Sequence, residues 1–278
     1  YSTTGVAYMI QGASNPDYIT VQKCAFSGQD NGTLRAGGIS ISSSTTVNQI
    51  TITKCTFVRT YIGINFISSA SSSTLQNLAC SGSLFMGCDY SMNIEGSGLA
   101  RTVYNCTFLF SDRFGVNASG AQAGGTGVYN CLFYGGGTAL ATSGVGITEN
   151  YNRMISCTPR TNVSPSGANS QTTGIAGADI AYGLLTGIAN QQIGSTILSS
   201  PNYNFGTTSG APVTDMYGVT WTGANPDAGS ATYRSLSGIG QYNPTERNAS
   251  TITIAPGSTS QSIELYLGAT GLTASTAG

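Results

Sequence analysis

The sequence predicts an all-β protein built as a single-stranded right-handed parallel β-helix, a solenoid in which each coil of chain stacks on the previous one. A six-residue phrase recurs as VYNCTF at 103–108 and as VYNCLF at 128–133. Six of the seven cysteines recur at nearly even intervals, at positions 24, 55, 80, 106, 131 and 157. A period of about 25 residues is typical of solenoids, and no stretch keeps the 3.6-residue period of a helix for about a dozen residues.

The segment that opens each coil has the pattern of a β-strand with one buried face. In ITVQKCAF (19–26) and ITITKCTF (50–57) apolar and polar residues alternate up to the cysteine, and a phenylalanine follows two residues later. The alternation breaks in the second copy, which predicts a bend or bulge near Lys54. In NLACSGSLF, Phe85 lies five residues after Cys80, so we expect a shifted register in this third coil.

A second strand is predicted after each cysteine strand, because short similar phrases recur there. The segments are YIGINFISS (61–69), YSMNIEGSG (90–98), RFGVNASG (113–120) and GTALATSG (137–144). Stacked coils would lie about 4.8 Å apart, with cysteine over cysteine and phenylalanine over phenylalanine in the interior. We interpret the cysteines as packing residues. Disulfides and a metal site are the alternatives, although the sequence has no C-x₂-C pair.

The composition limits the possible functions. Of 278 residues, 8% are charged, against about 25% in ordinary soluble proteins. A surface of Ser, Thr, Asn, Gln and Gly is common in extracellular and viral fibrous β-proteins. The net charge is −1 and no basic run exists, so we expect no nucleic-acid partner. No stretch reaches the roughly 18 apolar residues of a membrane span. The absence of histidine excludes Ser-His-Asp and Cys-His catalysis and His metal sites within this chain.

Three segments are predicted along the chain. Residues 1–157 form the regular coils, 158–236 form terminal coils with a long loop and a cap, and 237–278 form a linker and a short pair of C-terminal strands. Within the second segment, 179–197 predicts either further coils or one short helix around Ala181–Ile188. The only tryptophan, Trp221, is expected to pack over the last coil. Since the chain begins without methionine, we expect a processed form or a piece of a longer polypeptide.

Two resemblances add to these patterns. A Gly-Pro turn, an Asp-x-Tyr-Gly turn and a Pro-Asp-x-Gly turn resemble the recurring ending of secreted and viral right-handed parallel β-helix proteins, a group that includes pectate lyases and phage tailspikes. These turns lie at 209–212, 214–218 and 225–233. This resemblance implies the fold and is silent on activity.

IELYLGATGLT (263–273) looks like short β-modules of phage virion proteins, including fibre and tail components. Asp215 and Asp227 are interpreted as turn residues that accept backbone N–H bonds.

The strongest catalytic candidates are Asp89, Asp112 and Arg113. A β-helix hydrolase needs two carboxylates on neighbouring coils, roughly 5 to 9.5 Å apart, and a lyase needs a cation and a base. The position of each residue relative to its cysteine allows these three to meet on one face. The alternative is a surface Arg–Asp pair at a turn, which contributes under about 1 kcal/mol.

The strongest carbohydrate-binding candidates are Tyr104, Tyr129 and Tyr134. The first two occupy one ladder in consecutive copies of the repeated phrase, and an exposed tyrosine ladder could stack on sugar rings. The alternative is an ordinary surface ladder. We predict no metal site and no cofactor.

The sequence favours a structural or adhesive solenoid, located outside the cell or on a virion surface. We expect a phage virion appendage, fibre-like or tailspike-like, that binds surface glycans. Expected partners are other virion or filament subunits, including copies of this chain. One alternative is a polysaccharide lyase or glycoside hydrolase of the β-helix type, although the scarcity of carboxylates weighs against an enzyme. Another alternative is a subunit of a bacterial surface filament.

Overall fold

A computed structural model describes residues 6–12, 18–28, 35–43, 49–68, 77–95, 100–119, 125–144, 146–164, 166–173, 180–183, 192–195, 204–216, 218–221 and 223–231. These residues form nineteen strands and no helix. Accordingly, no described helix is long and apolar enough to cross a membrane. The predicted C-terminal strand pair and the linker before it, residues 237–278, lie outside the described residues.

In chain order the strands are β1 (Val6–Gly12), β2 (Tyr18–Gln22), β3 (Ala25–Ser27), β4 (Arg35–Ser43), β5 (Gln49–Thr53), β6 (Thr56–Val58), β7 (Ile62–Ser68), β8 (Asn77–Ser81), β9 (Leu84–Met86), β10 (Tyr90–Glu95), β11 (Ala100–Tyr104), β12 (Thr107–Ser119), β13 (Thr126–Tyr129), β14 (Leu132–Ser143), β15 (Ile147–Asn150), β16 (Arg153–Ile155), β17 (Thr158–Thr161), β18 (Ile180–Gly183) and β19 (Gln192–Ser195). All except β18 and β19 pair in parallel with strands of neighbouring coils.

The parallel strands form three faces of a β-solenoid, which confirms the predicted fold class. The first face is a six-stranded sheet in the order β2, β5, β8, β11, β13, β15. An eleven-stranded sheet supplies the other two faces, because the long strands β12 and β14 run from one to the other. The second face contains β3, β6, β9 and β16, and the third contains β1, β4, β7, β10 and β17.

A ladder of phenylalanine rings fills the interior behind the second face, as the repeat predicts. Successive ring centroids lie 4.8, 4.7, 4.9 and 4.5 Å apart, and the stacked rings are nearly parallel, in the order Phe26, Phe57, Phe85, Phe108 and Phe133. Each phenylalanine pairs in register with the next coil. Burial of these rings contributes about 1.5 to 3 kcal/mol each, so the ladder is a large part of the core.

The bend predicted near Lys54 is confirmed, and it recurs in every coil. Lys54 has a φ of 57°, and the equivalent residues are Lys23, Gly82, Asn105, Asn130 and Tyr151. The left-handed backbone conformation costs about 1 to 2 kcal/mol for a residue other than glycine. Stacking helps to offset this cost, because the Lys54 N–H donates to the Ser81 carbonyl of the next coil over 3.0 Å. We call this bend the first corner. It lets Ile52 and Cys55 both face the interior.

The shifted register expected for the third coil is confirmed. Phe57 pairs with Phe85, which places Ser83 in the column of Cys55. Cys80 instead pairs with Ile52 of the preceding coil. The even spacing of the cysteines is therefore a wrong measure of the number of residues in each coil. The separation of equivalent residues is 28 residues from Cys55 to Ser83, 25 from Asn105 to Asn130 and 21 from Cys131 to Asn152.

The second predicted ladder is confirmed on the third face. Asn65, Asn93 and Asn117 are in register on β7, β10 and β12. Their side chains form a hydrogen-bonded chain, with Asn93 donating to Asn65 over 3.0 Å and Asn117 donating to Asn93 over 2.8 Å. Small residues at the start of these strands face the phenylalanine ladder. A Cβ added at Gly63 would lie 3.0 Å from the Phe85 ring.

A C-terminal segment packs against the outside of the second face. We call it the strap; it comprises the described residues 204–216, 218–221 and 223–231. Met216 of the strap packs on an outward-facing apolar cluster formed by Leu84, Leu109 and Leu132. The Ser230 N–H donates to the Thr107 hydroxyl over 2.8 Å. The second face is therefore buried on both sides, which explains why leucines occur at its outward positions.

Two details of the C-terminal half differ from or refine the expectations. Strands β18 and β19 pair antiparallel, so the helix expected from Ala181 and the alternative of further parallel coils are both wrong over the described residues. Gly183 and Gly187 disfavour a helix there. Trp221 is half-buried and donates to the Pro212 carbonyl over 2.7 Å, within the strap.

The two strap aspartates have the predicted turn role. Asp215 and Asp227 are fully buried. The Asp215 carboxylate accepts the Val219 N–H over 2.8 Å, and the Asp227 carboxylate accepts the Asn204 N–H over 2.7 Å. Both carboxylates therefore hold the turns of the strap.

Candidate functional site

Asp89 and Arg113 meet where the chain passes from the second face to the third, a bend that we call the second corner. Asp89 lies immediately before β10, and Arg113 lies in β12 on the next coil. Arg113 Nε is 3.3 Å from Asp89 Oδ1, and the two side chains are 56% and 19% exposed. Asp112 is exposed beside them, and its backbone N–H donates to the Cys88 carbonyl over 2.9 Å. The structure thus brings two of the three catalytic candidates into direct contact.

A row of aromatic rings begins at this ion pair and crosses successive coils. The Tyr90 ring lies 5.9 Å from the Tyr61 ring, edge to face, and 5.5 Å from the Phe114 ring. Arg113 Nη1 donates to the Tyr90 hydroxyl over 3.1 Å. On an earlier coil, the Arg35 guanidinium carbon lies 4.2 Å from the centroid of the Tyr61 ring.

We call this surface the aromatic stripe and define it by Arg35, Tyr61, Asp89, Tyr90, Arg113 and Phe114. Tyr90 pairs in register with Phe114. Tyr61 lies one residue before Ile62, the partner of Tyr90, and its backbone carbonyl accepts the Tyr90 N–H over 2.9 Å. Neighbouring coils lie about 4.8 Å apart, so the three rings form a row along the solenoid axis. The three rings are half-buried, which restricts their motion while leaving part of each accessible.

The charges of the stripe are fixed by its contacts. The hydrogen bond to Tyr90 and the negative charge of Asp89 both raise the pKa of Arg113 above its ordinary value. The guanidinium is therefore always protonated and cannot serve as a proton acceptor at any physiological pH. Arg113 is suited to donate hydrogen bonds and to contact the faces of aromatic or sugar rings.

The tyrosines selected as carbohydrate candidates do not form one surface. Tyr104 and Tyr129 stack on the first face, with centroids 5.1 Å apart and planes 23° apart. Gly210 of the strap lies against Tyr104, since a Cβ added there would be 2.4 Å from its hydroxyl. Tyr134 lies on the second face, where it packs on the leucine cluster and contacts Phe110 edge to face at 5.7 Å.

Part of the stripe was missed as a site by sequence reasoning. Tyr90 and Phe114 come directly before the small-apolar-Asn phrase (SMN and GVN), and Tyr61 lies two residues before GIN. This phrase is the signal that could have brought the three rings near one another. No such phrase follows Arg35, so only the register of β4 on β7 shows that it lies near Tyr61. In this fold, two residues that are distant in sequence lie close together when they occupy equivalent positions on neighbouring coils.

A buried ionic network closes the last coil, and it was also missed. Glu149 is 3% exposed and lies on β15 in the column of the apolar Val128. Its Oε1 accepts from Arg160 Nη2 over 2.6 Å and from the Gly167 N–H over 2.7 Å. Its Oε2 accepts from Asn152 over 2.8 Å and from the Ser170 hydroxyl. These contacts occupy both oxygens, so the carboxylate has a structural role in holding the end of the solenoid.

All seven cysteines are free thiols, and five of them are buried. This supports their interpretation as packing residues. Burial raises the pKa of Cys55 and of Cys157 to about 11, which keeps both thiols protonated and unreactive at neutral pH. In the described part of the chain no group of three or more His, Cys, Asp and Glu residues could hold a metal ion.

Comparisons with known proteins give no relative for this chain: no protein-family model, no curated protein and no solved structure matches it. The chain is a parallel β-solenoid on the strength of its own strand pairing.

Proposed function

We propose that this protein is a structural β-solenoid that binds glycans along the aromatic stripe. The supporting observation is the row of Tyr61, Tyr90 and Phe114 on consecutive coils, with Arg35 and Arg113 beside the rings. Partly exposed aromatic rings can pack on the apolar face of a sugar. Arginine and carboxylate groups next to them can donate and accept hydrogen bonds with hydroxyl groups.

The shape of the stripe favours a polymer over a single sugar. It extends from β4 to β12 across four neighbouring third-face strands, a length of about 14 Å at about 4.8 Å per coil. A glycan chain that runs parallel to the solenoid axis would meet a ring on each of three coils and Arg35 on the fourth. Because the half-buried rings are already packed against one another, little conformational entropy would be lost on binding.

The wider role that we propose is a virion appendage, fibre-like or tailspike-like, located on the particle surface. The supporting features are the charged content of 8% and the resemblance of 263–273 to phage virion modules. In this role the chain would assemble with copies of itself and with other virion subunits. A subunit of a bacterial surface filament is the alternative assembly, and it would use the same stripe for adhesion.

The glycan-binding proposal is tested on an array of polysaccharides with two matched variants. Tyr90→Ala removes the central ring of the stripe, and Tyr129→Ala removes a stacked ring from the first face. We expect binding to weaken at least about tenfold, or about 1.4 kcal/mol, for Tyr90→Ala alone. Equal loss in both variants, or no retained glycan, would refute the proposed site. Thermal unfolding of each variant shows whether the fold is kept.

The assembly is tested by electron microscopy of the native particle labelled with an antibody to this chain. Label at regular positions on a virion or filament is the expected result, and a free monomer would contradict the structural role. The same preparation can be assayed for cleavage of retained polysaccharides, comparing wild type with Asp112→Asn and Arg113→Ala. Cleavage that both variants abolish would replace the proposal by a lyase or hydrolase.

A further inference from the structure

The aromatic stripe has a small net charge, and two of its charged groups pair with each other. Arg35 and Arg113 are its cations, Asp89 is its anion, and Asp112 adds a second carboxylate beside Arg113. The Asp89 carboxylate is in contact with the Arg113 guanidinium at 3.3 Å, so neither charge acts alone on a ligand. The whole chain has a net charge of −1 and therefore no positive field that would attract polyanions over a distance.

We infer that the ligand of the stripe is a neutral polysaccharide, one without carboxylate or sulfate groups; this inference rests on the proposed function. Acidic glycans require cations that are free to pair with each acidic group. Here Arg113 already pairs with Asp89, and the Arg35 guanidinium lies over the Tyr61 ring. The Asp89 carboxylate would repel an acidic group that approached next to it. Hydroxyl groups meet no such repulsion.

The ion pair is well suited to hydroxyl groups, which are both donors and acceptors. A carboxylate accepts hydrogen bonds at several lone-pair positions, and a guanidinium has five N–H donors. The contacts of Arg113 with Asp89 and Tyr90 involve Nε and Nη1, and the side chain is 56% exposed. Adjacent hydroxyls of one sugar can therefore bind to the Arg113–Asp89 pair while the ring packs on Tyr90 or Phe114.

Affinity electrophoresis of the full chain tests the inference. The gels contain either a neutral polysaccharide (dextran, mannan, xylan or galactan) or an acidic one (polygalacturonate, alginate or hyaluronate). Each is run at low and high salt, because the screening length falls from about 30 Å at 0.01 M to about 3 Å at 1 M. We expect wild-type retardation in at least one neutral gel, with little dependence on salt.

Two variants change the charge of the stripe in opposite directions. Asp89→Asn leaves a net positive stripe, and we expect it to gain retardation in acidic gels by about tenfold at low salt, lost at high salt. Arg113→Gln leaves one cation and one anion in the stripe and should gain nothing in acidic gels. Both side chains lie at the surface, and thermal unfolding of the two variants checks that each is folded.

The outcomes separate the inference from the proposed function. Retardation of wild type in acidic gels alone, weakened by salt and by Tyr90→Ala, would overturn the neutral ligand and keep the glycan site. Retardation in neutral gels that Tyr90→Ala leaves unchanged would reject the stripe as the site. Retardation in neither set would reject glycan binding and, with it, the inference.

Discussion

Cys55 donates its backbone N–H to the Ser83 hydroxyl over 3.1 Å, which places a serine in a column that cysteines occupy on four other coils. Ser83 in turn donates to the Ser81 carbonyl over 3.2 Å. The cysteine thiols make the same contact, since Cys106 donates to Tyr104 over 3.4 Å and Cys131 to Tyr129 over 3.2 Å. The column therefore requires a small donor that satisfies the carbonyl at the first corner, and either a thiol or a hydroxyl can supply it.

Replacing Ser83 by alanine should destabilise the protein. The fully buried Cys55 N–H would lose its acceptor, which costs about 1 to 3 kcal/mol for the unsatisfied group, while the Ser81 carbonyl would lose one of two donors and keep the Lys54 N–H. Ser83→Cys restores the donor of the other coils and should cost clearly less. Urea unfolding measures both free energies. The control Ser164→Ala, at an exposed position, should change stability by less than about 0.5 kcal/mol, and equal losses for the two Ser83 variants would contradict the role of the column.

The fold could be predicted from the sequence because its repeat is a property of local order. Phe108 and Phe133 occur in the same phrase, and stacking them requires only that each coil has a similar length. The shifted register of the third coil could also be predicted, because Phe85 lies five residues after Cys80. The distance alone does not identify the residue that takes the place of the cysteine. Cys80 and Ser83 are both small and both can be buried, and the stacking of Phe85 on Phe57 decides between them.

The small residues facing the phenylalanine ladder set a limit on side-chain size. A Cβ at Gly63 would lie 2.6 Å from the Ser91 carbonyl oxygen and 3.0 Å from the Phe85 ring. Gly63→Ala should therefore destabilise the protein by about 1 to 3 kcal/mol through overpacking. Gly146→Ala is the matched control, because nothing lies within 4 Å of a Cβ built there. Thermal unfolding measures the stability of both variants. Equal stabilities would mean that the coils have more room around Gly63 than the structure shows.

The candidate site could be predicted only in part. Asp89 and Arg113 follow cysteines that the sequence places on neighbouring coils, and they do meet. The strap could not be predicted, because Asn105 reaches the Asp227 carbonyl across 122 residues. No periodic signal relates a corner residue of the solenoid to a later loop. For this reason, sequence reasoning did not predict that the strap covers Tyr104.

Asn130 attaches the strap to the first corner, and its side-chain amide should be needed for that attachment. Its Nδ2 donates to the Thr207 carbonyl over 2.8 Å, and its Oδ1 accepts the Thr207 N–H over 2.8 Å. Asn130→Asp keeps the acceptor and tolerates the left-handed backbone, but places a buried negative charge against a carbonyl. We expect a loss of about 2 kcal/mol or more. Hydrogen exchange should show faster exchange at Thr207 and Gly229 while the core amides stay protected.

A matched control for this change is Asn162→Asp. Asn162 is also left-handed, with a φ of 59°, but it is exposed. The same substitution there should leave hydrogen exchange in the strap unchanged. If Asn162→Asp accelerated exchange at Thr207 as much as Asn130→Asp does, the effect would come from net charge and the attachment through Asn130 would be refuted.

Glu149 should make the end of the solenoid sensitive to acid. Burial alone would raise its pKa, but hydrogen bonds from Ser170, Asn152, Gly167 and Arg160 outweigh burial and lower the pKa of Glu149 below its ordinary value of 4.5. A group whose pKa is lower in the folded than in the unfolded state stabilises the fold above its unfolded pKa. This stability is lost as the pH falls through the folded-state pKa.

Glu149→Gln removes this charge and leaves Arg160, whose side chain is 16% exposed, without its carboxylate. We expect a loss of about 3 kcal/mol at neutral pH, as for a broken buried ion pair. The difference from wild type should shrink as the pH falls below 4.5, since protonation of Glu149 removes the same charge from wild type. Urea unfolding at a series of pH values measures the difference, with Glu95→Gln as a control at a partly exposed carboxylate. A difference that stays constant down to the lowest pH would mean that packing of the side chain, and not its charge, holds the last coil.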